Sequence, residues 1–207
     1  MTNAFLIAFI KGYTTTTGLI VAIGAQNAFI LKQGLLKSNT LVIAVLASII
    51  DILMISIGVY GLGVIIASHA YLMYLAKYGG ILFLLGYGCK CFYLAIFRTN
   101  ILKNEKIQAQ TSLKWTVITL LAMSFLNPHM YLDTLLLIGT IGGQLAENQR
   151  LYFIIGAGSA SVIWFFLLSY GARLLIPIFQ KPFAWKVLDT IIGVTMWFIA
   201  ASIYYEI

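Results

Sequence analysis

Charge is scarce in this sequence. Only 9% of its 207 residues are Asp, Glu, Lys or Arg, where soluble globular domains carry about 25%. Apolar residues make up 61% and the mean hydropathy is +0.97. A soluble core of this size has no room for so much apolar surface. The shortage of charge therefore excludes a soluble domain and makes lipid the solvent. Acidic residues are the scarcer kind, 6 against 13 Lys and Arg, for a formal net charge of +7. Such an excess raises the idea of a nucleic-acid partner. No long basic run lies outside a loop, so the surplus reads as the Lys and Arg that membrane proteins keep in cytoplasmic loops.

Cysteine is nearly absent as well. Cys89 and Cys91 flank Lys90 in an apolar segment. Residues two apart on a helix point in different directions. The spacing is not Cys-x-x-Cys and no His/Cys cluster accompanies it, which leaves packing rather than redox chemistry or metal binding. The start, Met1-Thr2-Asn3, has no basic region and no clear cleavage site follows the first apolar run. That run is expected to be a retained helix. The small-residue run Gly156-Ala157-Gly158-Ser159-Ala160-Ser161 lacks a following Lys-Ser/Thr and a preceding strand. It is a close-packing surface between helices, not a nucleotide loop.

What the chain does have is long apolar runs. A spanning helix needs about 20 apolar residues. Six segments qualify: Ala4–Leu31, Thr40–Ala67, Tyr71–Phe97, Leu113–Ile141, Leu151–Ile176 and Ala184–Tyr205. The expected fold is all-α and integral to the membrane, a single transmembrane domain over residues 1–207. One connection is long and polar, 99–112, and separates a half over 1–98 from a half over 113–207. Three helices per half is an odd number, so the halves are expected as two inverted repeats, a common transporter plan. Lys32, Lys37, Arg98, Lys103, Lys106, Lys114, Lys181 and Lys186 fall in or beside loops one, three and five, against Arg150 and Lys77 opposite. That bias places those loops in the cytoplasm and both termini outside.

Two polar stretches interrupt the first and fourth runs, half a chain apart. The first is Gly24-Ala25-Gln26-Asn27-Ala28-Phe29; the second is Asn127-Pro128-His129-Met130-Tyr131-Leu132-Asp133. Pro128 removes a backbone donor and disfavours helix at Asn127. Gly24 supplies flexibility in the first copy. Both runs are longer than a bilayer requires, so helices broken or tilted near mid-membrane are expected. Carbonyls freed by a break coordinate an ammonium, and amides opening the next half-helix favour a carboxylate. His129 and Asp133 share a face if an α-helix resumes after Pro128. Gln26, Asn27 and Asn127 are amide donors and acceptors. Asp51 stands well inside the second run, where a charge costs about 2.5–3.5 kcal/mol. It reads either as a structural ion pair with Lys11 or Lys90, or as a countercharge to a cationic cargo or a proton carrier. Thr14-Thr15-Thr16-Thr17 can bond back to helix carbonyls and reads as packing, with a place in the permeation path as the alternative.

The stretch Gly24 to Gly34 resembles the first-helix signature of the LysE family of basic amino acid exporters, and Asn127 to Thr134 resembles its fourth-helix signature. Asp51 fits the same pattern, and the likeness covers the whole chain in length, helix number and motif order. Ala25 stands where some members have Pro. The homoserine/threonine-exporter branch typically has Pro-Gly-Pro in the first copy, absent here, which tilts the cargo toward lysine or arginine. The resemblance implies efflux of L-lysine and L-arginine across a bacterial cytoplasmic membrane, driven by membrane potential or proton exchange.

These readings combine into expected roles. Gln26, Asn27, Asp51, Asn127, His129 and Asp133 bind the cargo; Asp51 or Asp133 carries a proton; Gly24 and Pro128 permit the breaks. No catalytic residue, cofactor or metal is assigned. The partners are L-arginine or L-lysine, protons and membrane lipid, with further copies of the chain left open. The competing readings are an exporter of another amino acid or of a metal cation, and, more distantly, a membrane enzyme carrying electrons through thiols.

Overall fold

The computed structural model describes residues 2–21, 24–61, 70–97, 112–127 and 130–205. Among them the chain is helical throughout. Helix α1 spans Thr2–Ile20, α2 Ala25–Leu35, α3 Thr40–Val59, α4 Ala70–Phe97 and α5 Leu113–Phe125. Helix α6 runs over Tyr131–Gly143, wound with wider π turns over Tyr131–Ile138 and as α-helix from Gly139. Helix α7 is Glu147–Gly171, prolonged by a 3-10 turn over Ala172–Leu175; after a second such turn, Ile178–Gln180, α8 runs Pro182–Tyr205.

Among the described residues, four stretches are long and apolar enough to cross a membrane: Thr40–Val59, Lys77–Phe97, Glu147–Leu175 and Phe183–Tyr205. The first expected helix is two. α1 and α2 meet at 82°, and taken as one broken span they make a fifth. Gly24, in extended conformation (φ −100°, ψ 176°), starts α2. The fourth expected helix is also two: α5 stops at Phe125, Asn127 is non-helical, and helix resumes at Met130. α5 and α6 are each short of a full span. The second expected helix ends early, at Val59, where Gly61 turns the chain with a positive φ of 88°.

Helix α7 is the centre of the packing, with α1 and α3 along it and α2 across it. α8 packs along α4, and α3 also meets α6. Missing side chains permit the tightest approach. A Cβ on Gly12 would sit 2.1 Å from the Phe153 carbonyl oxygen, and one on Gly156 2.0 Å from that of Phe9. Backbones in direct contact gain dispersion where lipid offers no hydrophobic drive between helices. The outer faces of α4 and α8 carry exposed apolar side chains such as Leu82 and Phe198, as lipid requires.

Candidate functional site

A cavity of about 300 Å³ lies where the broken helices meet. That is the lower end of the range for small-molecule sites, about 300–1,000 Å³. Its wall contains the last turn of α1 (Leu19, Ile20), the first turn of α2 (Gly24 to Asn27) and Asn127 after α5. It also contains Met130, Asp133 and Thr134 from α6, and Asp51 from α3. Phe165 of α7 and Ile199 of α8 close it with apolar surface. Five expected cargo-binding residues, Gln26, Asn27, Asp51, Asn127 and Asp133, thus line one space. His129 and Pro128 lie outside the described residues.

The first break is held by local contacts. A helix end leaves carbonyls without intrahelical donors. The Asn27 side-chain NH₂ donates to the Ile20 carbonyl oxygen at 2.7 Å, capping α1 from inside α2. The Asn27 side-chain oxygen accepts from the Trp164 indole N–H at 3.3 Å. Asn27 therefore holds the break together while facing the cavity. Gly24 gives α2 no side-chain cap, so the amino end of α2, the positive end of a helix dipole, lies beside the cavity without a capping side chain.

Asp51 is a partly buried carboxylate within α3, and its partner is Ser161 of α7, whose hydroxyl donates to Oδ2. The alternative of an ion pair with Lys11 or Lys90 is not what forms: both lysines are exposed, and Lys90 lies 6.0 Å over the Tyr87 ring. Asp133 is the more exposed carboxylate. Its segment is π-wound, so the α-helical spacing used to pair it with His129 does not describe the turn it occupies. Single π turns inside helices are frequent at functional sites.

Three features are invisible to a reading of local spacing. Lys32, counted above with the loop charges, is buried within α2, and its ammonium is ion-paired with Asp189 of α8. Asp189, an Asp inside the last apolar run, carries the same sequence signal as Asp51, but its partner does not show in the sequence. Thr16 lines the cavity with a buried hydroxyl that has no partner among the described residues, whereas Thr14 and Thr17 bond back to the carbonyls of Ile10 and Tyr13, at 2.8 and 2.7 Å. The threonine run is thus packing at two positions and cavity wall at a third. Among the described residues no three of His, Cys, Asp and Glu gather as a metal would require. Cys91 is buried, Cys89 is exposed, and neither lines the cavity.

Unwound helix ends and two carboxylates around a cavity, in a bundle of membrane-crossing helices, define a multi-pass membrane translocator. The chain belongs to the LysE type translocator family, whose model matches residues 18–207. It is 36% identical over 202 residues to a protein of Serratia proteamaculans named "Arginine exporter protein ArgO", covering 97% of this chain and 98% of the relative. A Yersinia enterocolitica protein of the same name is 38% identical over 94% of this chain and 95% of its own length. A third, from Photorhabdus laumondii, is 36% identical over 94% of each. No solved structure matches the chain.

Proposed function

We propose that this protein exports basic L-amino acids, arginine and lysine, across the bacterial inner membrane by alternating access. It transports and catalyses no covalent step. The observation that carries the reading is the cavity itself: helix-end donors and two carboxylates in one space of amino-acid size. The printed names of the relatives point to arginine.

The cargo carries one carboxylate and two cations. Its carboxylate suits the uncapped first-turn amides of α2 with Gln26. Its α-ammonium suits the carbonyl end of α1 and the amides of Asn27 and Asn127. Asp51 and Asp133 balance the cationic side chain, and one of them exchanges a proton. Asp51 is the stronger charge site because Ser161 orients it and apolar residues surround it. His129 orients Asp133, and Gly24 and Pro128 allow the half-helices to re-angle.

The architecture in this proposal is six spans, α1/α2 and α5/α6 each making one, as two inverted repeats over 1–98 and 113–207 joined by a cytoplasmic loop over 99–112. Equivalent helices packing across the halves support it: α3 against α7, α4 against α8, with α2–α7 answered by α6–α3. Both termini face outside, and membrane potential or proton exchange drives export.

Proteoliposomes loaded with labelled arginine or lysine test the reading, with and without an imposed potential. Potential-sensitive release by the wild type, absent in Asp51→Asn, is expected. Release at the wild-type rate from Asp51→Asn would remove Asp51 from its role. Absence of release of either amino acid from folded wild type would overturn basic amino acid export.

A further inference from the structure

Thr16 stands on the cavity wall and is 1% exposed. Its hydroxyl oxygen is buried and has no hydrogen-bond partner among the described residues. A helical threonine is ordinarily satisfied by the carbonyl four residues earlier, as Thr14 is by Ile10 and Thr17 by Tyr13. For Thr16 that carbonyl belongs to Gly12, and the bond does not form. A buried polar group without a partner destabilises the fold that holds it. The member of the run that borders the cavity is thus one whose hydroxyl its own helix leaves unsatisfied.

The packing of α1 on α7 puts Thr16 beside the charge site. The two helices run in the same direction: Phe5 stacks on Tyr152, ring centroids 4.5 Å apart, and Phe9 meets Gly156 backbone to backbone. Next along, a Cβ on Gly12 would touch the Phe153 carbonyl and lie 3.0 Å from the Ala157 amide nitrogen. Four residues beyond Gly12 and Ala157 come Thr16 and Ser161. Ser161 is the residue whose hydroxyl holds the Asp51 carboxylate. Backbones in contact one turn earlier fix Thr16 in place before any cargo arrives, so its hydroxyl is pre-organised.

We propose that Thr16 is a specificity residue: its hydroxyl oxygen accepts a hydrogen bond from the guanidinium of arginine held at Asp51, and so favours arginine over lysine. The inference rests on the export of basic amino acids set out above. A lysine ammonium has three donors, which two carboxylates and a freed helix carbonyl satisfy. A guanidinium has five, fixed in one plane. Two of them meet a carboxylate as a fork, and the others need acceptors at set angles. Much of the remaining wall is apolar, with Phe165 and Ile199 among it, and an N–H left unpaired there weakens binding. Thr16 supplies a neutral acceptor beside the carboxylate, which rewards the cargo with donors to spare.

The test compares Thr16→Val, which keeps the shape and loses the hydroxyl, with Thr16→Ser, Thr17→Val and wild type. KM for arginine and for lysine is read in proteoliposomes of varied internal load. Thr16→Val is expected to raise KM for arginine about tenfold, equivalent to about 1.4 kcal/mol, and to leave lysine near wild type. Thr16→Ser, which keeps the hydroxyl, and Thr17→Val, whose hydroxyl serves its own helix, are expected to stay near wild type for both. An unchanged KM for arginine in Thr16→Val, an equal rise for the two amino acids, or a Thr16→Ser as impaired as Thr16→Val overturns the inference. A second arm reads melting temperature in detergent. Deleting an unpaired buried hydroxyl is expected to leave unliganded Thr16→Val at or above wild type, and to shrink the rise that arginine produces. A melting temperature below wild type, with an undiminished rise, makes the hydroxyl structural and overturns the contact. Wild-type arginine transport is recorded first: its absence sinks the exporter reading itself, whereas transport indifferent to Thr16→Val sinks only the role of Thr16.

Discussion

The Ser161 hydroxyl donates to the Asp51 carboxylate across the contact of α7 with α3. Ser161 lies on the same helix as Gly156, where α1 approaches α7 backbone to backbone. The orientation of the cavity carboxylate is therefore tied to the most closely packed helix of the bundle. Ser161→Ala removes that donor. A hydrogen bond to a charged group contributes about 1.5–3 kcal/mol. Arginine release is expected to fall by about tenfold or more, with protein level unchanged, whereas Ser159→Ala, whose hydroxyl bonds the Ile155 carbonyl, is expected to transport normally. Initial rates in proteoliposomes check both.

Asn27→Ala strands the Ile20 carbonyl and leaves the Trp164 indole without its acceptor. An unsatisfied buried group costs about 1–3 kcal/mol. The expected outcome is a lower melting temperature in detergent and a shifted tryptophan emission. An emission unchanged from wild type would show that the Trp164 bond does not form in solution.

Two glycines of α1 and α7 are expected to respond in opposite directions. Gly156→Ala places a methyl against the Phe9 backbone, which cannot yield cheaply; overpacking of this kind costs about 1–3 kcal/mol, occasionally more. A Cβ at Gly18 meets nothing within 4 Å, so Gly18→Ala is expected to stabilise α1 by about 0.5–1 kcal/mol. Thermal unfolding in detergent separates the two.

Serine at both Cys89 and Cys91 is expected to leave arginine release near the wild-type rate, since neither thiol lines the cavity. A loss of transport in folded double variant would revive a thiol role. The same cysteine-free protein serves for topology. Lys181→Cys, at an exposed position, is expected to be shielded from an impermeant thiol reagent in intact cells and to react after permeabilisation. Labelling from outside would invert the orientation.

Both helix breaks were legible because their causes are local. Gly24 and Pro128 stand inside apolar runs too long for one span, and the helices part at or beside them. Asp51 was legible for a similar reason, as a charge where lipid tolerates few. The π winding of α6 was not legible: Tyr131 to Ile138 has an ordinary apolar composition, and nothing in it marks a wider turn. The early end of α3 at Val59 was missed because apolar residues continue beyond Gly61 and hydropathy does not register a turn.

Composition and patterning alone determined that this chain lives in lipid, as helices, with polar interruptions inside two of the apolar runs. Those conclusions follow from the cost of exposing charge and backbone to lipid, which each segment bears by itself. Partnership is different. Lys32 reads as a loop charge at the end of an apolar run, and only the approach of α8 turns it into the buried partner of Asp189. A lysine partner was one of two readings open for Asp51; it meets Ser161 instead, from a run that reads as packing. An electrostatic partner is chosen by distances of a few ångströms between residues more than a hundred positions apart, and the fold alone sets those distances.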